Sequence, residues 1–341
     1  METLQLGRTN ITAARTGFGA LPIQRISSDE AKLILQKAYD DGGINFYDTA
    51  RAYTDSEEKV GRALSGVRNH IYIATKTMAK DKKSLFKDLE ASLKALKTDT
   101  IDIYQLHNPS ELPDYDDPDG LYQALLEAKA KGYIRFLGLT NHRLSLAMQA
   151  AQDQRFDTIQ FPLSSLSSDD DIQLIRLCKE NNIGLIAMKA MSGGLITNAA
   201  STFAFLRQFD NVLPIWGIQR ESELDEFLAL EKNPPVLDDA MQKIIDQDRR
   251  ELAGSFCRGC GYCQPCPANI PIPTAARISL LLTRSPYQSF LTDEFKAQME
   301  RINDCTHCNH CKNHCPYGLD TPNLLQYMLG EYNKFYAAHK A

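Results

Sequence analysis

The sequence predicts an α/β chain, a (β/α)8 barrel of the TIM type followed by a small, mainly helical domain. Three observations predict it. Between residues 16 and 233, eight short apolar or β-branched runs alternate with longer segments of helical period. The alternation stops at "KNPPVLDD" (232–239), whose two prolines suit a boundary. Eight of the nine cysteines then fall between 257 and 315, in a stretch whose other residues have helical spacing.

The strand-like runs are "TGFGAL" (16–21), "INFYDTA" (44–50), "IYIATKT" (71–77), "IDIYQLH" (101–107), "IRFLGLT" (134–140), "TIQFPL" (158–163), "IGLIAMKA" (183–190) and "VLPIWGI" (212–218). Helical period marks 27–42, with Ser28 or Asp29 as N-cap and Gly42 as a stop. It also marks 81–97, 120–132, 169–182 and 222–233. Eight βα units in about 220 residues fit a barrel near its usual size. A doubly wound sheet is the alternative, but "GFGALPIQ" supplies only two of the glycines that a dinucleotide turn would carry. The first sixteen residues read as a hairpin turning at "GRTN", placed to plug the bottom of a barrel. Residues 1–235 are expected to form the barrel, and 236–341 a linker helix ("DAMQKIIDQDRRELAG") with the cysteine-bearing domain.

The chain has 341 residues, 43% hydrophobic and 24% charged, with a formal charge of −5. That balance argues against nucleic-acid binding through a general basic field, a local patch aside. No apolar run approaches the roughly 18 residues that span a bilayer. "METLQLGRTN" lacks the basic and apolar regions of a signal peptide. The expectation is a cytoplasmic protein with no nucleic-acid or membrane partner. In a reducing compartment clustered cysteines are metal ligands rather than disulfides. Cys178, in "IQLIRLCKENN", reads as a buried helix residue.

Catalytic groups of a (β/α)8 barrel sit at the C-terminal ends of its strands. There the second run gives Asp48 and, just beyond it, Tyr53; the third ends in Lys76; the fourth ends in His107. Any one of these alone is more simply a cap or a solvated rim residue. Together they make one chemistry. A phenol with a pKa near 10 is a poor acid at neutral pH, and a neighbouring Lys⁺ is expected to lower it. Asp48 would pair with Lys76 and hold it. His107 would orient a substrate oxygen, and Tyr53 would protonate that oxygen while hydride arrives at carbon.

The stretches "FYDTARAYTDSEEKVGRAL" (46–64), "IATK" (73–76) and "DIYQLHNP" (102–109) resemble the aldo-keto reductase family, over roughly residues 3 to 233. The resemblance implies nicotinamide-dependent, reversible reduction of a small carbonyl compound to an alcohol. It places the family's catalytic tetrad on Asp48, Tyr53, Lys76 and His107, with Tyr53 as general acid. It puts Thr140, Asn141 and Gln160 on the nicotinamide carboxamide, and Gly193 and Gly194 on the pyrophosphate. Met188 stands where the family usually has an aromatic residue behind the nicotinamide. Arg220 is the candidate for a 2′-phosphate, but Glu221, Glu223 and Glu226 surround it, so NADP is only favoured over NAD. For the glycines and Arg220, a tight turn and a solvated loop are equally good readings.

"CTHCNHCKNHCP" (305–316) has the spacing C-x₂-C-x₂-C-x₃-C-P, and "CRGCGYCQPCP" (257–267) is one residue shorter before its last cysteine. Both resemble bacterial dicluster ferredoxin runs. The resemblance implies two [4Fe-4S] clusters with crossed fourth ligands: Cys257, Cys260, Cys263 and Cys315 for one, Cys305, Cys308, Cys311 and Cys266 for the other. Zinc is the rival, although its knuckles come as two separated C-x₂-C pairs. His307, His310 and His314 read as loop or outer residues. The 38 residues between the runs look helical, closer to helical ferredoxin modules than to a small βαβ ferredoxin.

Hydride transfer moves two electrons, whereas a cluster passes one, and no flavin motif is present to split the pair. Three accounts follow. The barrel is a carbonyl reductase with structural or regulatory clusters; or the clusters exchange electrons with a ferredoxin-like partner protein; or the chain is a non-catalytic, nicotinamide-binding redox sensor.

Overall fold

The computed structural model describes residues 1–252 and 256–339. The chain divides into two compact units, one of residues 1–190 and 200–241, the other of 191–199 and 242–341.

The first unit opens with an antiparallel hairpin, β1 (Thr3–Gln5) and β2 (Thr12–Ala14). The chain reverses through a 3-10 turn at Gly7–Thr9 and a left-handed Asn10, as "GRTN" predicts. Eight parallel strands follow: β3 (Gly17–Gly19), β4 (Phe46–Asp48), β5 (Tyr72–Thr77), β6 (Ile101–His107), β7 (Ile134–Thr140), β8 (Thr158–Pro162), β9 (Gly184–Met188) and β10 (Val212–Gly217). They close into a barrel in chain order, sealed by β10 pairing with β3. Each lies within one of the eight predicted runs.

The hairpin plugs the lower end of the barrel. Leu4, Leu6, Ile11 and Ala13 pack with Phe46, Ala74, Ile103, Leu213 and Ile215 from the strands. The turn is pressed so close that a Cβ on Gly7 would lie 2.2 Å from the amide nitrogen of Gly184. Gly7 also has a positive φ of 51°, so only glycine fits without strain.

The helices of this unit are α1 (Ser28–Asp40), α2 (Ser56–Leu64), α3 (Lys82–Leu96), α4 (Leu121–Ala130), α5 (Leu144–Asp153), α6 (Asp169–Glu180), α7 (Ala199–Arg207) and α8 (Glu221–Lys232). Their starts follow capping chemistry. Ser27, Asp81 and Ser168 each accept from the N3 amide in a capping box. The N-cap of α1 is therefore Ser27, not Ser28 or Asp29, because Ser27 alone has Glu30 at the reciprocal position.

The second unit contains no strand among its described residues. Its helices are α9 (Asp239–Glu251, mostly in this unit), α10 (Ile272–Ala275), α11 (Ile278–Arg284), α12 (Asp293–Glu300), α13 (His310–Asn313) and α14 (Thr321–His339). The predicted linker helix runs to Glu251; its expected end at 253–254 lies outside the described residues. Ile272, Ala275, Ile278, Leu281, Leu325 and Leu329 are buried together in its core. Tyr332 and Tyr336 on α14 donate hydrogen bonds to the Phe290 carbonyl and to Asp293 Oδ1. Among the described residues, no helix is long and apolar enough to cross a membrane.

Candidate active site and cysteine cavities

Asp48 ends β4, Lys76 lies near the end of β5 and His107 ends β6. Parallel register brings these ends to one rim. Asp48 sits beside Ala74, Lys76 beside Gln105, and His107 beside Thr140. Lys76 Nζ donates to Asp48 Oδ1 at 2.5 Å and to the Thr49 carbonyl at 2.6 Å, fully buried. Tyr53, half-buried in the loop after β4, places its ring 5.2 Å from Lys76 Nζ. It also meets the His107 ring edge-on at 5.8 Å. The four residues thus converge.

Burial sets the electrostatics. It pushes the Asp48 carboxyl up and the Lys76 amine down, while their mutual attraction and hydrogen bonds oppose both shifts. His107 is pushed down to about 3 by burial and by the charges of Lys76 and Lys189, so its imidazole is neutral at ordinary pH. Tyr53 corrects the sequence-based expectation. Burial, and then the charge of Asp48, hold its phenol above the usual tyrosine range. Burial and the Asp48 charge outweigh the lowering expected from Lys76. The phenol is therefore held in its protonated form.

A buried amide network lies behind this site. Gln105 Nε2 donates to Gln160 Oε1 at 3.0 Å and to Asp48 Oδ2 at 3.3 Å, while its Oε1 accepts from Thr140 Oγ1 at 2.9 Å. Gln160 Nε2 reaches Asp48 Oδ1 at 3.4 Å. Asn141 donates to the Pro109 carbonyl and accepts from the Arg143 amide. Met188 points into the barrel and packs in its apolar lining. Gln105 was not singled out from sequence. The signal was its place two residues before His107, hence on the same strand face. Lys189 was missed too, having no pattern around it.

The backbone is forced at the same rim. Thr54, Asn108 and Lys189, which directly follow Tyr53, His107 and Met188, all have positive φ, at 41°, 56° and 57°. Non-glycine residues in this region are strained, and such strain clusters at functional sites.

Arg220 is the N-cap of α8, largely exposed, and its guanidinium bonds Glu223 Oε1 at 2.9 Å. Gly193 and Gly194, with φ of 70° and 89°, belong to the second unit. There the Gly193 carbonyl accepts from Arg277 Nη1 at 2.7 Å, and the Leu195 carbonyl accepts from Arg284 Nη1 at 2.8 Å.

The cysteines line two cavities in the second unit. One is lined by Cys257, Cys260, Cys263 and Cys315, together with Cys311. The other is lined by Cys266, Cys305, Cys308 and Cys311, together with Cys263. The last cysteine of each run thus sits with the triplet of the other. Among the described residues no three His, Cys, Asp or Glu side chains converge on a single-ion site. Each cavity brings together thiols from both runs, a donor set that fits an iron–sulfur cluster. His310 lines the second cavity and His314 the first.

A family model described as the aldo/keto reductase family matches residues 15–212, and one for a 4Fe-4S dicluster domain matches 256–320. Aldo-keto reductase YhdN of Bacillus subtilis is 29% identical over 215 residues, covering 58% of this chain and 64% of its own length. The chain therefore spans less than two thirds of that relative. NADH-specific methylglyoxal reductase of Escherichia coli is 29% identical over 265 residues, covering 69% of this chain and 81% of its own. A solved aldo-keto reductase from Bacillus halodurans superposes with a TM-score of 0.62 at 22% identity, covering 73% of this chain and 96% of that one. That likeness shows the barrel fold.

Proposed function

We propose that this chain, which belongs to the aldo/keto reductase family and carries a 4Fe-4S dicluster domain, reduces a small aldehyde or ketone with NADPH or NADH, or runs the reverse oxidation. The single observation that carries the reading is the convergence of Tyr53, His107 and the buried Asp48–Lys76 pair on one strand-end rim.

The nicotinamide, when bound, supplies a hydride to the carbonyl carbon. Tyr53 Oη holds the proton for the carbonyl oxygen and releases it as negative charge grows there. His107, neutral, donates a hydrogen bond to the same oxygen and so fixes the approach. Lys76 keeps a positive charge beside the phenol, which favours the phenolate left after proton transfer. Asp48 holds that ammonium in place, and Gln105 and Gln160 hold Asp48.

Thr140, Asn141 and Gln160 are assigned to the carboxamide, Met188 to the ring's rear face, and Gly193 and Gly194 to the pyrophosphate. Arg220 would have to leave Glu223 to meet a 2′-phosphate, so discrimination between NADP and NAD is expected to be slight. The E. coli relative, by its name, uses NADH on methylglyoxal, which makes that dicarbonyl a sensible first substrate. Cys257, Cys260, Cys263 and Cys315 would hold one cluster, and Cys266, Cys305, Cys308 and Cys311 the other. Such clusters store one electron at a time.

The test is anaerobic turnover of methylglyoxal and a panel of small aldehydes by the iron-loaded protein with each nicotinamide. Tyr53→Phe should lower the rate by roughly 10²–10⁴-fold. No turnover by the wild type, or an unchanged rate in Tyr53→Phe, would overturn the reading.

A second reading is favoured by one observation. Cys308 is exposed, so the cluster assigned to it would be reachable by an external one-electron carrier. Reduction of that cluster by a reduced ferredoxin would support the reading; inertness toward ferredoxins of both high and low potential would sink it.

A further inference from the structure

The two cysteine cavities differ in charge. The cavity of Cys257, Cys260, Cys263 and Cys315 is also lined by Arg258. Its partner, with Cys266, Cys305, Cys308 and Cys311, is lined among the described residues by no Arg, Lys, Asp or Glu. Arg258 is held in an unusual way. Its guanidinium stands over the Phe256 ring at 5.1 Å and over the Tyr317 ring at 4.9 Å. Its Nε is buried without a hydrogen-bond partner. A buried guanidinium N–H left unsatisfied is costly, and its retention calls for a reason.

A second cation stands behind the same cysteine run. Arg277 packs on Gly259, where a Cβ would lie 3.0 Å from its Cζ. Gly259 N in turn lies 3.4 Å from Cys257 Sγ.

We propose that Arg258 is a positioning residue for charge, which raises the reduction potential of the cluster held by Cys257, Cys260, Cys263 and Cys315 above that of its neighbour. The inference rests on the two-cluster assignment. Reduction adds one electron to a cluster, breaks no bond, and makes the site more negative by one unit. A fixed positive charge in the cavity wall favours that product. At an effective dielectric of about 20, one such charge is worth on the order of tenfold to a hundredfold in the reduction equilibrium. Solvent contact works the other way, since water also stabilises the more negative form. Each set has one buried cysteine, Cys257 and Cys311, and the sets differ only in the exposed Cys308. One exposed ligand out of four adds less to the reduced form than a full charge in the cavity wall.

The experiment is an EPR-monitored redox titration of the iron-loaded full chain, with dithionite as reductant and iron counted beforehand. The wild type should show two one-electron waves. Arg258→Met should lower the upper wave by at least tenfold in its equilibrium, 59 mV for one electron, and leave the lower wave in place. Arg258→Lys, which keeps the charge, should recover most of the shift. An unmoved upper wave, an equal shift of both, or loss of one cluster's iron in Arg258→Met but not in Arg258→Lys would overturn the proposal. The last would make the residue a holder of the cluster rather than a tuner of it. A wild type with a single set of four irons would instead defeat the two-cluster assignment itself.

Discussion

Lys76 Nζ sits 2.5 Å from Asp48 Oδ1, and both side chains are sealed from solvent at 0% and 3% exposure. Removing one member strands a charge in the barrel. Lys76→Met or Asp48→Asn should lower stability by about 3–5 kcal/mol, and the double change Asp48→Leu, Lys76→Met by much less than the sum. Trp216, the chain's single tryptophan and buried in the barrel unit, reports the transition in urea. Single variants with an unchanged midpoint would show that the pair is not held as described.

His107 supplies a pH prediction with a definite sign. Its pKa falls from the ordinary 6.5 to about 3 on folding. Between those values the unfolded chain binds the extra proton, so stability must fall as pH drops from about 6.5 toward 3 and be fully present above that window. His107→Asn should flatten this part of the curve. Equal acid sensitivity in both proteins would mean that the imidazole is not held neutral by burial. Carbonyl reduction should likewise show no limb near pH 6.5 from His107.

The crossing of the cysteine runs can be read from iron counts alone. The wild type should carry about eight irons. Cys257→Ala with Cys315→Ala should keep about half, because both changes strike one cavity. Cys257→Ala with Cys266→Ala should lose nearly all, because they strike both. The reverse pattern would place each fourth cysteine with its own run.

Gly259 has a φ of +63° and faces the Arg277 guanidinium. An alanine there should be destabilised by more than about 1 kcal/mol through backbone strain and crowding. Iron content should fall toward half, with the loss confined to the cluster of the first run. Full loading would show that this loop tolerates a side chain.

Much of this was legible in the sequence. The eight barrel strands stood out because each is a short apolar run, and Asp48, Tyr53, Lys76 and His107 because they are polar residues at or just beyond the ends of such runs. Helices α5 and α7 carried little signal. Nearly every residue of α7 is buried, so no polar face marks its period. Gln105 was hidden because an amide inside a strand looks like an ordinary polar residue until Asp48, Thr140 and Gln160 surround it. The direction of the Tyr53 shift depended on burial, which no local pattern encodes. The grouping of residues 191–199 with the second unit could not be foreseen. It depends on Arg277 and Arg284, more than eighty residues away.

On the proposed function, hydride passes directly from nicotinamide to a carbonyl carbon in the barrel. The most direct measurement is mass spectrometry of the alcohol formed from methylglyoxal and each C4-deuterated nicotinamide epimer, under strict anaerobiosis. With one epimer, each product molecule should carry one deuterium on the new carbinol carbon, and Tyr53→Phe should form the same labelled product far more slowly. Alcohol formed without the label from both epimers would contradict the account.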